Sequence, residues 1–213
     1  MTTAHQSAEH GALLAHRTDL RALVVSGPDR ISWLMGMLSC DLSPVEHNQA
    51  VYGLVLDKQG KILADLVAMQ FNERLVLAVD ADQAESLQEH LDRFLIMEDA
   101  EIELLDEPHG LLLVIGPRSP DVVQAASQRQ DVLAARTGRL LGTEAALILV
   151  RGNESADAGR ALAQEDPTWG FVEQEAFDQL RLQLGLPRFG VEFGPNHYPM
   201  DAGLDEHAIS FSK

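Results

Sequence analysis

Apolar residues recur at two different spacings along the first third of the chain, and each spacing predicts a different kind of element. Residues 21–25 form a short apolar run typical of a buried strand. Ile31, Leu34, Met35 and Leu38 then recur at the spacing of one helical face. This region therefore predicts a strand followed by a helix that packs into a core.

From Val51 the apolar period falls from about 3.6 residues to about two. Three runs rich in β-forming residues, 51–57, 61–70 and 74–80, are separated by the turn segments DKQG and FNE. These runs predict an antiparallel meander. The next segment, residues 80–97, has its apolar residues on one helical face and predicts an amphipathic helix.

The rest of the chain mixes strands with helices. Strands are predicted at 100–106, 110–116, 145–150 and 208–211, and helices at 119–130, 156–164 and 173–187. Because strand and helix do not alternate strictly, the pattern predicts an α+β protein rather than a doubly wound sheet.

The charge of the chain narrows the classes of partner. Its 213 residues include 16 Lys and Arg against 33 Asp and Glu, a net charge of −17. Such a field repels phosphate backbones and anionic lipids, so we expect neither nucleic acid nor membrane among the partners. No apolar run is long enough to span a bilayer, and residues 1–13 are interpreted as a polar arm rather than a signal peptide. The single cysteine, Cys40, excludes an intramolecular disulfide and fits a reducing, cytoplasmic compartment.

Asp65 is the acidic residue that the strand pattern singles out. In the predicted strand 61–70 it shares a face with Leu63, Val67 and Met69. A buried carboxylate is costly unless it is hydrogen-bonded, so Asp65 must either meet a local donor or line a cavity. In a cavity it would accept hydrogen bonds from the N–H groups of a heterocyclic ligand. The pattern leaves both interpretations open.

Arg181 lies beside the apolar stripe of the predicted helix 173–187. It is either a surface arginine with a local salt bridge or a fork that holds a ligand carboxylate. The eight histidines form no i, i+4 pair on a predicted helix, so no metal site is predicted. No nucleotide-binding glycine loop and no nucleophile elbow occur in the sequence.

Four ordered segments carry a resemblance to a known family. They are LRALVVSGPDRISWLMGMLSCDLS, VYGLVLDKQGKILADLVAMQ, GLLLVIGP and LRLQLGLPRFGVEFGPNHYPMDAGLDEHAISFSK. Together they resemble the folate-binding proteins of the YgfZ type and their relative, the glycine cleavage T-protein. The resemblance extends over about residues 14–213, and the last segment is its most specific part.

The resemblance implies two interleaved α+β lobes with antiparallel sheets around a folate pocket. The first lobe would combine residues 14–47 with 109–213, and the meander with its helix, residues 48–108, would be the inserted second lobe. In the family the lysine that corresponds to Lys213 leads into a Gly-Cys-Tyr motif and a C-terminal β-barrel. That barrel is absent from this chain, which we therefore interpret as a fragment.

The resemblance also implies a ligand, tetrahydrofolate or a one-carbon derivative, and residues that contact it. Asp65 aligns with the second acid of the T-protein's Asp-Asp pair, whereas the first acid is replaced by Ala64. Arg181 aligns with the arginine of the T-protein's Leu-Arg-Leu-Glu block. Tyr52 and Leu63 complete the predicted folate-binding residues.

Two further departures from the T-protein direct the predicted function. Gln183 replaces the glutamate of the Leu-Arg-Leu-Glu block, and residues 141–155 lack the T-protein's Gly-Glu-Asp-Gly motif. We therefore predict a tetrahydrofolate-binding accessory protein, not a classical enzyme, that supports iron–sulfur cluster assembly or repair, with iron–sulfur client or assembly proteins as partners. One alternative is an aminomethyltransferase of the T-protein type, in which Asp65 would be catalytic. The second alternative is a ligand-free scaffold domain.

Overall fold

The computed structural model describes residues 3–213, which fall into two units that the chain enters alternately. The first unit comprises residues 3–19 and Asp106–Leu186. The second comprises Leu20–Leu105 and Pro187–Lys213. Each unit is therefore assembled from two separate stretches of sequence.

The elements of both units follow in chain order. The strands are β1 (Ala12–Arg17), β2 (Leu20–Ser26), β3 (Ala50–Leu56), β4 (Ile62–Phe71), β5 (Arg74–Asp80), β6 (Glu101–Leu104), β7 (His109–Ile115), β8 (Val132–Leu140), β9 (Thr143–Arg151) and β10 (Trp169–Val172). The helices are α1 (Thr3–His10), α2 (Arg30–Met37), α3 (Ser43–Glu46), α4 (Ala84–Asp92), α5 (Ser119–Ala126), α6 (Ser155–Ala163), α7 (Gln174–Leu180) and α8 (Asp205–Ala208), with a 3-10 turn at Pro199–Ala202.

The strands of the first unit lie in the order β10-β1-β7-β9-β8. β1 pairs in parallel with β10, and the other neighbouring strands pair antiparallel. Successive residues of β1 point to opposite faces: Leu14 packs with residues of α5 and α6, whereas Leu13 packs with residues of α7. Helices therefore cover both faces, which explains why the central strands are continuous apolar runs.

The strands of the second unit lie in the order β3-β4-β5-β2-β6, and all neighbours pair antiparallel. Helices α2 and α4 cover one face, where Leu34 and Leu91 pack in one cluster with Leu66 and Leu77. These four side chains are at most 2% exposed. Burying each of them stabilises the fold by about 1.5–3 kcal/mol.

The α+β class and the meander β3-β4-β5 are confirmed. The parallel pair of β1 and β10 departs from the predicted antiparallel sheets. The strand predicted at 208–211 is wrong, because Ala208 ends α8 and the Ser210 N–H donates to the Ser39 carbonyl oxygen instead of a strand.

The two units divide the chain differently from the predicted lobes. Since β2 pairs with β5 and β6, residues 20–47 lie in the unit of the meander, and residues 187–213 lie there too. The predicted polar arm lies in part outside the described residues. Its described part contains α1, which packs with the apolar cluster of the first unit through the buried Ala8.

Candidate functional site

Strand β4 presents two contrasting faces. Ile62, Ala64, Leu66 and Ala68 are buried in apolar surroundings, as strand alternation predicts. The intervening residues of the first half of the strand, Asp65 among them, are half-buried. Asp65 is therefore partly accessible on the face that lies opposite the helices.

Asp65 meets a tyrosine from the neighbouring strand. In the β3–β4 register Leu54 lies opposite Asp65 and Tyr52 lies opposite Val67, so all four side chains share one face. The Tyr52 hydroxyl donates a hydrogen bond to Asp65 Oδ2 at 3.1 Å. The sequence analysis left two interpretations of Asp65 open, a local hydrogen-bond donor or a place in a cavity. The structure shows the local donor, which comes from the same hairpin.

The environment of Tyr52 keeps its hydroxyl protonated. Its side chain is buried, with 6% of the residue exposed. Burial raises the pKa of Tyr52 well above its ordinary value, and the neighbouring Asp65 carboxylate raises it further. Tyr52 therefore acts as a neutral donor that orients the Asp65 carboxylate.

The end of α2 supports the strand that carries Tyr52. The Ser39 hydroxyl accepts a hydrogen bond from the Leu54 N–H at 2.9 Å and donates to the Ala208 carbonyl oxygen. The next residue, Cys40, lies against Gly53, where a Cβ atom would come within 2.3 Å of the Cys40 sulfur. Burial raises the pKa of Cys40 to about 11, so its thiol is unreactive near neutral pH. Sequence reasoning missed this support because residues 39 and 54 belong to different elements.

The other two predicted site residues lie in different surroundings. Leu63 is half-buried and packs against the apolar core of the second unit. Arg181 belongs to the first unit, where it follows α7 and is 7% exposed. Its Nη1 donates to the Leu186 carbonyl oxygen at 3.2 Å, and its Nε lies 3.7 Å from Asp178 Oδ1. Arg181 is thus a buried arginine with local contacts, rather than the surface arginine of the first interpretation.

Residues 3–213 contain neither a cluster of metal-ligating side chains nor a membrane-spanning helix. Within this range no group of three or more His, Cys, Asp or Glu residues could hold a metal ion. No helix in the same range has the length and apolar character needed to cross a bilayer.

The chain is similar to known proteins along most of its length. A family model described as the GCVT N-terminal domain matches residues 1–150. An aminomethyltransferase of Shouchella clausii is 26% identical, over 94% of this chain and 60% of the relative. An aminomethyltransferase of Exiguobacterium sibiricum is 28% identical, over 85% of this chain and 54% of the relative. The chain thus spans a little over half of the length of these curated relatives.

A solved structure agrees with the fold. The glycine cleavage system aminomethyltransferase T from Bartonella henselae matches with a TM-score of 0.73 and 23% identity. The match covers 96% of this chain and 59% of the solved chain. At this identity the likeness establishes the shared fold.

These comparisons correct the function predicted from the sequence. The relatives described above are aminomethyltransferases, and they do not support a role in iron–sulfur cluster assembly or repair. The predicted accessory role, with iron–sulfur proteins as partners, is therefore wrong. The four segments resemble both the YgfZ-type proteins and the T-protein, so they do not distinguish these two functions.

Proposed function

The chain belongs to the family described as the GCVT N-terminal domain, and on this premise we propose that it binds tetrahydrofolate and takes part in aminomethyl transfer. Proteins of this family use tetrahydrofolate as the one-carbon acceptor. The relatives that support the proposal are longer than this chain, so the proposal assigns to it the folate-binding part of the reaction.

The hydrogen-bonded pair of Tyr52 and Asp65 is the observation that favours folate binding. A reduced pterin presents several N–H donors along one edge, and a carboxylate is the acceptor-only group that suits them. Asp65 is half-buried and oriented by the Tyr52 hydroxyl at 3.1 Å. A carboxylate held in this way forms stronger hydrogen bonds than one that is mobile in water.

The same pair suits the chemistry of transfer. When a folate nitrogen forms a bond to the one-carbon unit, the bond between that carbon and its carrier breaks, the carrier leaves with the electron pair, and the nitrogen releases its hydrogen as a proton. An Asp65 carboxylate that accepts the hydrogen bond from this N–H makes the nitrogen a better nucleophile. Tyr52 keeps its own proton and so supports the charged carboxylate throughout.

Strand β4 contains one acidic residue, Asp65. The T-protein's first acid corresponds to Ala64, which is 1% exposed and belongs to the apolar cluster of the second unit. Asp65 therefore carries the proposed role alone. Arg181 remains a sequence-based prediction, in which its guanidinium holds a carboxylate of the ligand.

Calorimetric titration of tetrahydrofolate into this chain under anaerobic conditions tests the proposal. We expect saturable binding that weakens about tenfold or more in Asp65→Asn, because a hydrogen bond to a charged group contributes about 1.5–3 kcal/mol. Tyr52→Phe should weaken binding less, since it removes the orienting donor and keeps the carboxylate. Asp82→Asn, at an exposed carboxylate beyond β5, is the matched control and should bind as the wild type does.

Two results would contradict the proposal. If the wild-type chain binds no tetrahydrofolate, it is not a folate-binding unit, and the scaffold alternative applies. If the wild type binds but Asp65→Asn and Asp82→Asn have equal affinities, the ligand does not contact Asp65.

A further inference from the structure

Three side chains of the first unit form a continuous hydrogen-bonded chain. Ser155 Oγ lies 3.0 Å from His16 Nε2, and His16 Nδ1 lies 2.8 Å from Glu173 Oε2. Each residue comes from a different part of the unit: Ser155 begins α6, His16 lies on β1, and Glu173 immediately precedes α7. A hydroxyl, an imidazole and a carboxylate linked in this order are the arrangement that activates a serine as a nucleophile.

The carboxylate fixes the state of the imidazole. A carboxylate only accepts hydrogen bonds, so the neutral imidazole donates from Nδ1 to Glu173 and presents the Nε2 lone pair to Ser155. Arg160 of α6 donates to the other oxygen, Oε1, of Glu173. Both carboxylate oxygens are thus engaged in contacts with neighbouring side chains.

The surroundings of Ser155 restrict what can reach it. Ser155 is 3% exposed, and the His16 side chain is 15% exposed. A Cβ atom at Gly110 would lie 2.0 Å from Ser155 Oγ, so the hydroxyl occupies space that only a glycine leaves open. A substrate that reaches this hydroxyl must therefore be small.

Charge restricts the substrate further. Glu154 and Asp157 flank Ser155 in sequence, and Glu173 lies behind His16. The whole chain has a net charge of −17. This negative field disfavours anionic acyl groups and accepts neutral ones.

We propose that Ser155, His16 and Glu173 form a hydrolytic site for small, uncharged acyl esters, separate from the proposed folate function. Ser155 Oγ attacks the acyl carbon while its proton passes to His16 Nε2. We assign stabilisation of the oxyanion to the backbone N–H groups of the first turn of α6, because the first turn of a helix has N–H groups without helical partners. His16 then returns the proton to the departing alcohol, and an acyl-serine remains.

Water completes the reaction. His16 Nε2 takes a proton from the water that attacks the acyl-serine, and returns it to Ser155 Oγ as the acid leaves. The net change is ester plus water to acid plus alcohol, and it consumes no other reagent. The Glu173 carboxylate stabilises the imidazolium in both steps.

A fluorophosphonate probe tests the site directly in the unaltered chain. We expect one covalent adduct, located by peptide mass spectrometry at Ser155. Absence of an adduct on Ser155 overturns the proposal, and this result does not depend on how well any variant folds.

Hydrolysis of p-nitrophenyl acetate provides the second measurement. Ser155→Ala and His16→Gln should each lower the rate by about 100-fold or more, towards the background of the assay. Gly110→Ala retains all three residues but displaces the Ser155 hydroxyl, and it should lose both labelling and hydrolysis. Ser127→Ala, at an exposed serine of the same unit, is the matched control and should retain both.

The assay also separates this site from the proposed folate function. Hydrolysis is measured without tetrahydrofolate, so its failure and the failure of folate binding are distinguishable. Asp82→Asn, at an exposed carboxylate of the second unit, should hydrolyse the ester at the wild-type rate. If Ser155→Ala, confirmed as folded by its circular dichroism spectrum, hydrolyses the ester as fast as the wild type, surface residues cause the hydrolysis and the proposal is wrong.

Discussion

The two units hold their partly buried polar groups in different ways. In the second unit Tyr52 and Asp65 lie on neighbouring strands of one hairpin, 13 residues apart in sequence. In the first unit His16 joins Ser155 and Glu173, which lie 139 and 157 residues away. The hydrogen bond between Tyr52 and Asp65 depends on the register of one hairpin. The hydrogen bonds of His16 to Ser155 and Glu173 instead depend on the assembly of a strand with two helices. Substitutions that disturb one arrangement should therefore leave the other intact.

Ala64→Asp should have the largest effect. It places a carboxylate in the apolar cluster of the second unit, on the face opposite Asp65. We expect a loss of about 4 kcal/mol or more in the free energy of unfolding, measured by urea denaturation. Leu63→Asp, one residue earlier and half-buried, is the control and should cost much less. A larger loss for Leu63→Asp would contradict the assignment of the two faces.

Alkaline pH should destabilise the second unit in particular, since the buried Cys40 and Tyr52, whose pKa values are both raised, lie there. Burial raises the pKa of Cys40 from 9.0 to about 11, so the folded state keeps this proton while the unfolded state releases it. This stabilising contribution is complete below about pH 9 and is lost as the pH rises through about 11. It amounts to about 2–3 kcal/mol.

The comparison of wild type with Cys40→Ala isolates this contribution. In reducing buffer the wild type should lose more unfolding free energy between pH 8 and pH 11 than the variant loses. The contribution of Tyr52 is the same in both proteins. Equal losses would mean that Cys40 does not remain protonated in the folded state.

Each unit also depends on a glycine that admits a polar side chain from another element. A Cβ atom would lie 2.0 Å from Ser155 Oγ at position 110 and 2.3 Å from Cys40 Sγ at position 53. Gly110→Ala and Gly53→Ala should each cost about 1–3 kcal/mol in unfolding free energy. Gly36→Ala, on α2 with open space around its Cβ position, should instead stabilise the chain by up to about 1 kcal/mol. If Gly36→Ala lowers the unfolding free energy, the space around the added Cβ atom does not decide whether a Gly→Ala substitution stabilises or destabilises the chain.

Local pattern predicted the second unit better than the first. Alternation and turn residues predict the meander and place Asp65 on one strand face with Leu63 and Val67, because hairpin strands are adjacent in sequence. The hydrogen bond between Tyr52 and Asp65 required the register of the hairpin, since the sequence analysis names Tyr52 only as a folate-binding residue. The hydrogen bond between the Ser39 hydroxyl and the Leu54 N–H could be found only from the structure, because no local sequence pattern relates the end of α2 to β3.

The first unit was harder to predict because its partners are distant in sequence. Strand β1 was missed, and His16 lies on it; β10 was also missed, and it is only four residues long. The pairing of β1 with β10 brings Glu173 close to His16, and no periodic pattern indicates a pairing over such a separation. The predicted function is wrong for a different reason, since departures from the T-protein such as Ala64 and Gln183 do not by themselves identify a different function.

The parallel pairing of β1 and β10 affects the order in which the strands can pair during synthesis on the ribosome. Ala12 pairs with Trp169, so the first strand of the chain lacks this neighbour until about 150 further residues have been synthesised. At a synthesis rate of about 5–20 residues per second, the delay is roughly 10–30 s. Residues 20–105 emerge within that interval and can begin to pair their strands first. The nascent N-terminal strand therefore has an exposed edge for many seconds, and chaperones that bind extended apolar segments have time to act on it.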